Sequence, residues 1–226
     1  MERVIALDVG GTLVKYGVVS KDGTLDGTGS LETRAQEGGE ALMGRLLEKV
    51  RALTGEYPDA AAVAVSSPGL ISADHGAIRF AGGNLPGWTG MEVARRVRQH
   101  TGHPCYVEND VNAAALGERW QGAGKDYEHF VCITIGTGIG GGIVMEGDLY
   151  RGSHYRAGEF GVLPVGDQGE PMHEVASASG LMKACRRALA VSEEEMPDGK
   201  ELFKRMESDV HLREAIEAWA HFLSRG

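Results

Sequence analysis

The sequence is short of cysteine, of clustered basic residues and of long apolar runs, and each shortage removes a class of function. Its three cysteines, Cys105, Cys132 and Cys185, lie far apart with no C-x-x-C spacing. That excludes a disulfide framework and a thiolate zinc site, and it fits reduced, buried thiols in a cytoplasmic protein. The net charge is −9, with Lys and Arg scattered along the chain; no nucleic-acid or anionic-membrane partner is expected. No segment reaches membrane-span length, and the apolar run in "MERVIALDVGG" is too short and acid-ended for a signal peptide. With 226 residues, 42% hydrophobic and 24% charged, the chain can build one large or two small soluble domains.

Glycine is in excess, at 34 residues, and gathers in apolar-flanked turns. Such turns bring backbone close to a ligand or close tight hairpins. The first is "ALDVGGTLVKYGVV", where an apolar strand stops at Asp8 and turns through Gly10, Gly11 and Thr12. Exposed N–H groups beside a carboxylate suit a phosphate and its Mg²⁺; a plain glycine turn with a solvated acid fits the same residues.

Alternation predicts three adjacent antiparallel strands, "RVIALDV", "LVKYGVVS" and "LDGTGSLET". The period then changes: Leu42, Leu46, Leu47, Val50 and Leu53 form one helical stripe that stops at Gly55. "AAAVAVSSPG" reads as a strand apolar on both faces, as inside an α/β sheet. A loop-rich insert, "GLISADHGAIRFAGGNLPGW", leads to a helix "GMEVARRVRQHTG", a short strand "CYVEND" and a helix "VNAAALGERWQ". The order βββαβαβα implies a mixed sheet with helices on its faces.

After the polar loop "GAGKDYEH" the opening pattern returns. "FVCITIGTGIGGGIVMEG" is again strand, Gly-Thr turn and strand, an internal duplication. Two phosphate-cradling hairpins facing across a cleft would grip a polyphosphate from both sides. Gly136, Gly138 and Gly141 also satisfy G-x-G-x-x-G, but the turn feeds a second strand rather than a helix, so the dinucleotide reading fails. No Walker A motif is present. In "YVENDVNAAALGE", Asn109 and Asp110 stand where strand becomes helix; they are either an N-cap or, for Asp110, a general base beside bound phosphates. Glu159 lies in the glycine-rich "RGSHYRAGEFG".

These stretches, in this order and across nearly the whole chain, resemble the ROK family of sugar kinases and repressors, within the actin-like ATPase and sugar-kinase superfamily. "LDVGGT" is similar to its first phosphate motif, "GGNLPGW" to its sugar loop, "ENDVNAAALGE" to its catalytic motif, "IGTGIGGGIV" to its second phosphate motif and "AGEFG" to its AGExG motif. The resemblance implies an α/β, two-domain ribonuclease H-like fold, each domain with a mixed central sheet flanked by helices, divided as residues 1–122 and 123–226. It implies that Asp8 holds Mg²⁺ through water and that Gly10, Gly11, Thr12, Thr137 and Gly138 contact the phosphates of ATP. Gly69, Asn84, Asn109, Glu159 and Glu174 would bind the sugar, and Asp110 would be the base that deprotonates O6. A cytoplasmic homodimer is expected. The rival is a catalytically silent sugar-binding regulator; a DNA-reading repressor would need a helix-turn-helix before the first phosphate motif, yet Asp8 lies seven residues from the start. Polyphosphate is an alternative donor.

Four departures stand out. Where the family has AGExGH this chain has "AGEFGV", with Val162 in the histidine's place, and the cysteine-rich zinc loop is absent from "PVGDQGEPMHEVASASG"; no zinc is expected. The family's further sugar-binding glutamate, four residues before a serine, falls on His173 when counted from Ser177, with Glu174 next to it. Finally, "AIEAWAHFLSRG" reads as an amphipathic helix with Ile216, Trp219, Ala220 and Leu223 on one stripe. The resemblance implies that a C-terminal part is missing beyond it, leaving that stripe without a partner.

Overall fold

The structure, a computed structural model, describes residues 3–226. They form two compact units: the chain up to Glu128 together with Arg151–Arg156, and His129–Tyr150 together with Ala157–Gly226.

In the first unit, β1 (Arg3–Val9), β2 (Leu13–Ser20) and β3 (Leu25–Glu32) form an antiparallel meander. Helix α1 (Gly39–Glu56) leads to β4 (Ala60–Ser67), which pairs parallel to β1. A small hairpin of β5 (Leu70–Ser72) and β6 (Ala77–Phe80) precedes α2 (Val93–Thr101), β7 (Cys105–Asn109) and α3 (Asp110–Gln121). The sheet order is β3-β2-β1-β4-β7, mixed, with β7 parallel to β4. Alternation explains its core: Ile5, Leu7, Val9, Val63, Val65, Cys105 and Val107 share one buried face with Leu42, Leu46, Val50 and Leu53 of α1 and Val93, Ala94 and Val97 of α2. Each such aliphatic side chain contributes about 1.5–3 kcal/mol on burial.

Two expectations need correction here. The insert before α2 is not merely a loop, because Ala77–Phe80 finds a partner in Leu70–Ser72, a pairing too short for alternation to reveal. Nor is β4 buried on both faces: Val63 and Val65 are buried, while Ala64 and Ser66 line an open groove on the other face. Small side chains there made the run look apolar throughout.

The second unit contains β8 (Phe130–Ile135), β9 (Ile139–Met145) and β10 (Asp148–Tyr150), ordered β10-β9-β8. Among the described residues this sheet is wholly antiparallel, not mixed as expected. Four helices follow: α4 (Met172–Val175), α5 (Ala178–Leu189), α6 (Gly199–Arg205) and α7 (Val210–Leu223). Leu181, Cys185, Leu202, Leu212 and Ile216 form its helical core. The stripe on α7 therefore has a partner: Leu212 and Ile216 are buried, and Trp219 donates its indole N–H to the Ser177 carbonyl at 2.9 Å. Of the expected stripe Ala220 is exposed, whereas Leu223 packs with Phe222 on the cluster of Ile139, Val165, Met172 and Ala176.

Candidate active site

The first glycine turn is braced from behind. Gly10 donates its N–H to the Leu13 carbonyl at 2.9 Å, and a Cβ there would meet that oxygen at 2.8 Å. Buried Thr33, at the end of the meander, donates its hydroxyl to the Gly10 carbonyl at 2.7 Å and its N–H to the Thr12 carbonyl at 2.9 Å. Gly11 and Thr12 are exposed, with open space over Gly11. Just before the turn, the exposed Asp8 accepts a hydrogen bond from Ser66 Oγ on β4 at 2.8 Å through Oδ1. Its second oxygen is the one that can hold a hydrated cation. Thr33 and Ser66 were not singled out in the sequence; a threonine ending a strand and a serine in a Ser-Ser pair carry no local signal.

Across the sheet, β7 runs into α3. Asn109 is the N-cap: its Oδ1 accepts from the N–H groups of Val111 at 2.9 Å and Asn112 at 3.1 Å. Its Nδ2 donates to the Gly69 carbonyl at 3.1 Å, so one amide N–H is left for a ligand. Gly69 has φ +105°, and a Cβ would lie 2.3 Å from the Phe80 carbonyl; only glycine fits this turn. Asp110, the first residue of α3, accepts from the Val111 N–H at 3.0 Å. Burial pushes its carboxyl above the ordinary carboxylate range and the negative charge of Asp8 adds to the rise, against the opposing Val111 N–H and Asn109 side chain. The cap and the acid, open alternatives in the sequence, are thus two adjacent residues. Asp8 and Asp110 lie close enough to repel, and a desolvated carboxylate beside a second one can accept a proton.

The "GGNLPGW" loop is pinned by its ends. Trp88 is fully buried and donates its indole N–H to Ser67 Oγ at 3.0 Å, and Leu85 is buried beside it. Asn84, immediately before Leu85, is exposed.

In the second unit, Gly136 accepts the Ala178 N–H at 3.0 Å, which docks the second glycine turn on the start of α5. Thr137 opens onto a cavity of about 710 Å³ whose wall includes Met182, Lys183, Arg186, Met196 and Pro197. Gly138 is exposed with open space around it. The AGEFG loop lies against β9: a Cβ on Gly158 would meet the Gly141 carbonyl at 2.2 Å, and one on Gly141 would meet Phe160 at 2.2 Å. Glu159 is exposed on this loop, ahead of a 3₁₀ turn over Phe160–Val162. His173 donates Nδ1–H to the Gly161 carbonyl at 2.8 Å, whereas the Glu174 side chain is exposed on α4. Asp8, Gly10, Gly11, Thr12, Gly69, Asn84, Asn109 and Asp110 therefore belong to the first unit, and Thr137, Gly138, Glu159 and Glu174 to the second. Among the described residues no group of three or more His, Cys, Asp or Glu could hold a metal ion, and no helix is long and apolar enough to cross a membrane.

The sequence model of the ROK family matches residues 4–226. An uncharacterized protein of Clostridium perfringens is 38% identical over 226 residues, covering 97% of this chain and 74% of that protein. A β-glucoside kinase of Listeria monocytogenes is 38% identical over 161 residues, covering 71% of this chain and 53% of the kinase. The chain thus matches about half the length of that curated kinase. Among solved structures, a ROK family glucokinase from Streptomyces griseus in complex with glucose and AMPPNP superimposes with a TM-score of 0.78 at 28% identity, covering 97% of this chain and 76% of that one.

Proposed function

The chain belongs to the ROK family, and on that premise we propose that it transfers the γ-phosphoryl group of ATP to a hydroxyl of a hexose or N-acetylhexosamine, at O6. The observation that carries the reading is Asp110, desolvated at the head of α3 and within repulsive reach of Asp8 beside the glycine turn. The relatives named β-glucoside kinase and glucokinase support the same reaction class.

The residues divide the work. Phosphoryl transfer is dominated by positioning and charge stabilisation. The exposed N–H groups of Gly11 and Thr12 in one unit and of Thr137 and Gly138 in the other are the phosphate donors, and the cavity next to Thr137 takes the nucleoside. Asp8 fits a hydrated Mg²⁺, because Ser66 orients one carboxylate oxygen and leaves the other unspent. That ion would neutralise charge on the phosphates. Asn109, through its remaining amide N–H, and Asn84 and Glu159, exposed on their loops, bind sugar hydroxyls. Glu174 stays in this set; His173, held by Gly161, is the alternative from the same turn. Asp110 takes the hydroxyl proton as the oxygen attacks phosphorus. The protein is read as a homodimer in the cytoplasm, carrying no zinc.

A coupled ATPase assay with glucose, mannose, fructose, N-acetylmannosamine, N-acetylglucosamine and a β-glucoside tests the reading. Sugar-dependent ADP release from at least one supports it; binding without turnover for every sugar makes the protein a sensor instead.

A further inference from the structure

We propose that Arg151 is a positioning residue for the catalytic junction, acting through Glu108, and that Arg151–Arg156 is a strap built to deliver it. The proposal rests on the kinase reading above. The chain leaves β10 at Tyr150, belongs to the first unit for six residues, Arg151 to Arg156, and returns to the second at Ala157. Three contacts tie the segment down. Arg151 sets both Nε and Nη2 at 2.7 Å from Glu108 Oε2. The Tyr155 hydroxyl donates to Asp74 Oδ2 at 2.5 Å, and the Arg79 guanidinium lies 5.7 Å from the Tyr155 ring centroid. Tyr155 holds φ +58°, a conformation that a bulky residue keeps only where surrounding contacts enforce it.

Glu108 connects the strap to the chemistry. Its side chain is only 14% exposed. Oε1 accepts the Asn109 N–H at 2.9 Å and Asn112 Nδ2 at 3.1 Å, while Oε2 takes Arg151. The carboxylate thus fixes the peptide entering Asn109 and the side chain of Asn112, and Asn109 in turn caps the helix that Asp110 begins. Without the guanidinium, a nearly buried carboxylate loses its cation. It gains by swinging toward water, which releases Asn109 and Asn112 and moves the Asp110 carboxylate. Nothing in this chain of bonds touches the glycine turn at Gly11 or the cavity beside Thr137, so the effect falls on proton transfer rather than on nucleotide binding.

The test is steady-state kinetics of Arg151→Met and Arg151→Lys in the full chain, together with hydrogen exchange at the Asn109 amide. For Arg151→Met we expect kcat to fall about 10- to 100-fold with the KM for ATP unchanged, as a misplaced group costs. Arg151→Lys keeps the charge but not the fork and should recover part of the loss. Asn109 should exchange faster in both variants while α1 and α2 keep their protection. Unchanged kcat in either folded variant overturns the proposal, as does a loss shared equally between kcat and global exchange protection. If Arg151→Met does not fold, the fall in kcat for Arg151→Lys at unchanged KM for ATP decides. Should the parent phosphorylate no sugar, the kinase reading fails, and the Asn109 exchange still supports or overturns the positioning.

Discussion

Asp110→Asn separates the two roles that a carboxylate at a helix start can play. The amide keeps the size of the side chain and an oxygen for the Val111 N–H, now 3.0 Å away, but it cannot accept the hydroxyl proton. Loss of a general base lowers turnover by ~10²- to 10⁴-fold. At about 1.36 kcal/mol per decade, that is roughly 2.7–5.5 kcal/mol of barrier.

Stability should move the other way. The start of α3 favours a negative charge there by about 0.3–1 kcal/mol, yet burial and Asp8 raise the Asp110 carboxyl above its ordinary range, so desolvation outweighs the helix. An ionised Asp110 therefore costs stability at every pH above its raised native value. The cost disappears once the pH falls below the unfolded value of about 3.9, where both states carry the proton. Asp110→Asn should accordingly unfold at a higher temperature than the parent at pH 7, with the gap closing toward about pH 4. Thermal unfolding at both pH values, beside coupled turnover at pH 7, makes the measurement. Equal turnover would remove Asp110 from the mechanism; a variant that lost stability along with turnover would make the acid a structural cap and refute the argument from desolvation.

The remaining predictions bear on donor, sugar and metal. If the cavity beside Thr137 receives the nucleoside, as proposed, calorimetry should find ATP bound at least about ten-fold tighter than tripolyphosphate, roughly one 1.4 kcal/mol step; equal affinities would mean that phosphate contacts act alone. Val162 is 56% exposed next to the AGExG loop and offers no hydrogen bond. Val162→His should sharpen kcat/KM ratios among sugars differing in one hydroxyl by up to about ten-fold, the worth of one net hydrogen bond, and unchanged ratios would show that this side chain does not face the sugar. Elemental analysis of dialysed protein should find less than stoichiometric zinc, whereas one zinc per chain would reveal a site built without thiolates.

What the sequence made legible was whatever has a local period or a local turn. The meander over residues 3–32, α1, and the strand-to-helix step at Asn109 follow from alternation, a leucine stripe and an Asn-Asp pair. Helix α2 begins at Val93 rather than Gly90 because Gly90 takes φ +85° and the Met91 N–H bonds the Trp88 carbonyl, a turn that the helical pattern alone does not show. Contacts between distant residues were invisible. Ser66 on Asp8, Thr33 behind the glycine turn and Arg151 on Glu108 join positions 58, 23 and 43 residues apart, and none of those residue types is distinctive alone. The requirement for glycine at position 158 is another such contact, since it comes from packing on Gly141, 17 residues away in sequence.

The duplication runs further than the two hairpins that suggested it. In the first unit the turn around Gly11 joins the first two strands of a three-stranded meander, and in the second the turn around Thr137 does the same. The third strand of the repeat, β10, is only Asp148–Tyr150, reached through Glu146 and Gly147, both at positive φ as a tight hairpin demands. The units diverge on the other side of their first strand. β1 is paired with β4, which also supplies Ser66 to Asp8, whereas β8 has no strand beyond it among the described residues and exposes Val131, Ile133 and Ile135. The orienting partner of a strand-end acid comes from that neighbouring strand. Asp8, the next-to-last residue of β1, corresponds in β8 to Thr134, so the second copy of the hairpin repeats the glycine turn but has no carboxylate for a cation. On the kinase reading one copy would serve phosphate and metal and the other phosphate alone, and only the copy with the acid has the parallel neighbour that orients it.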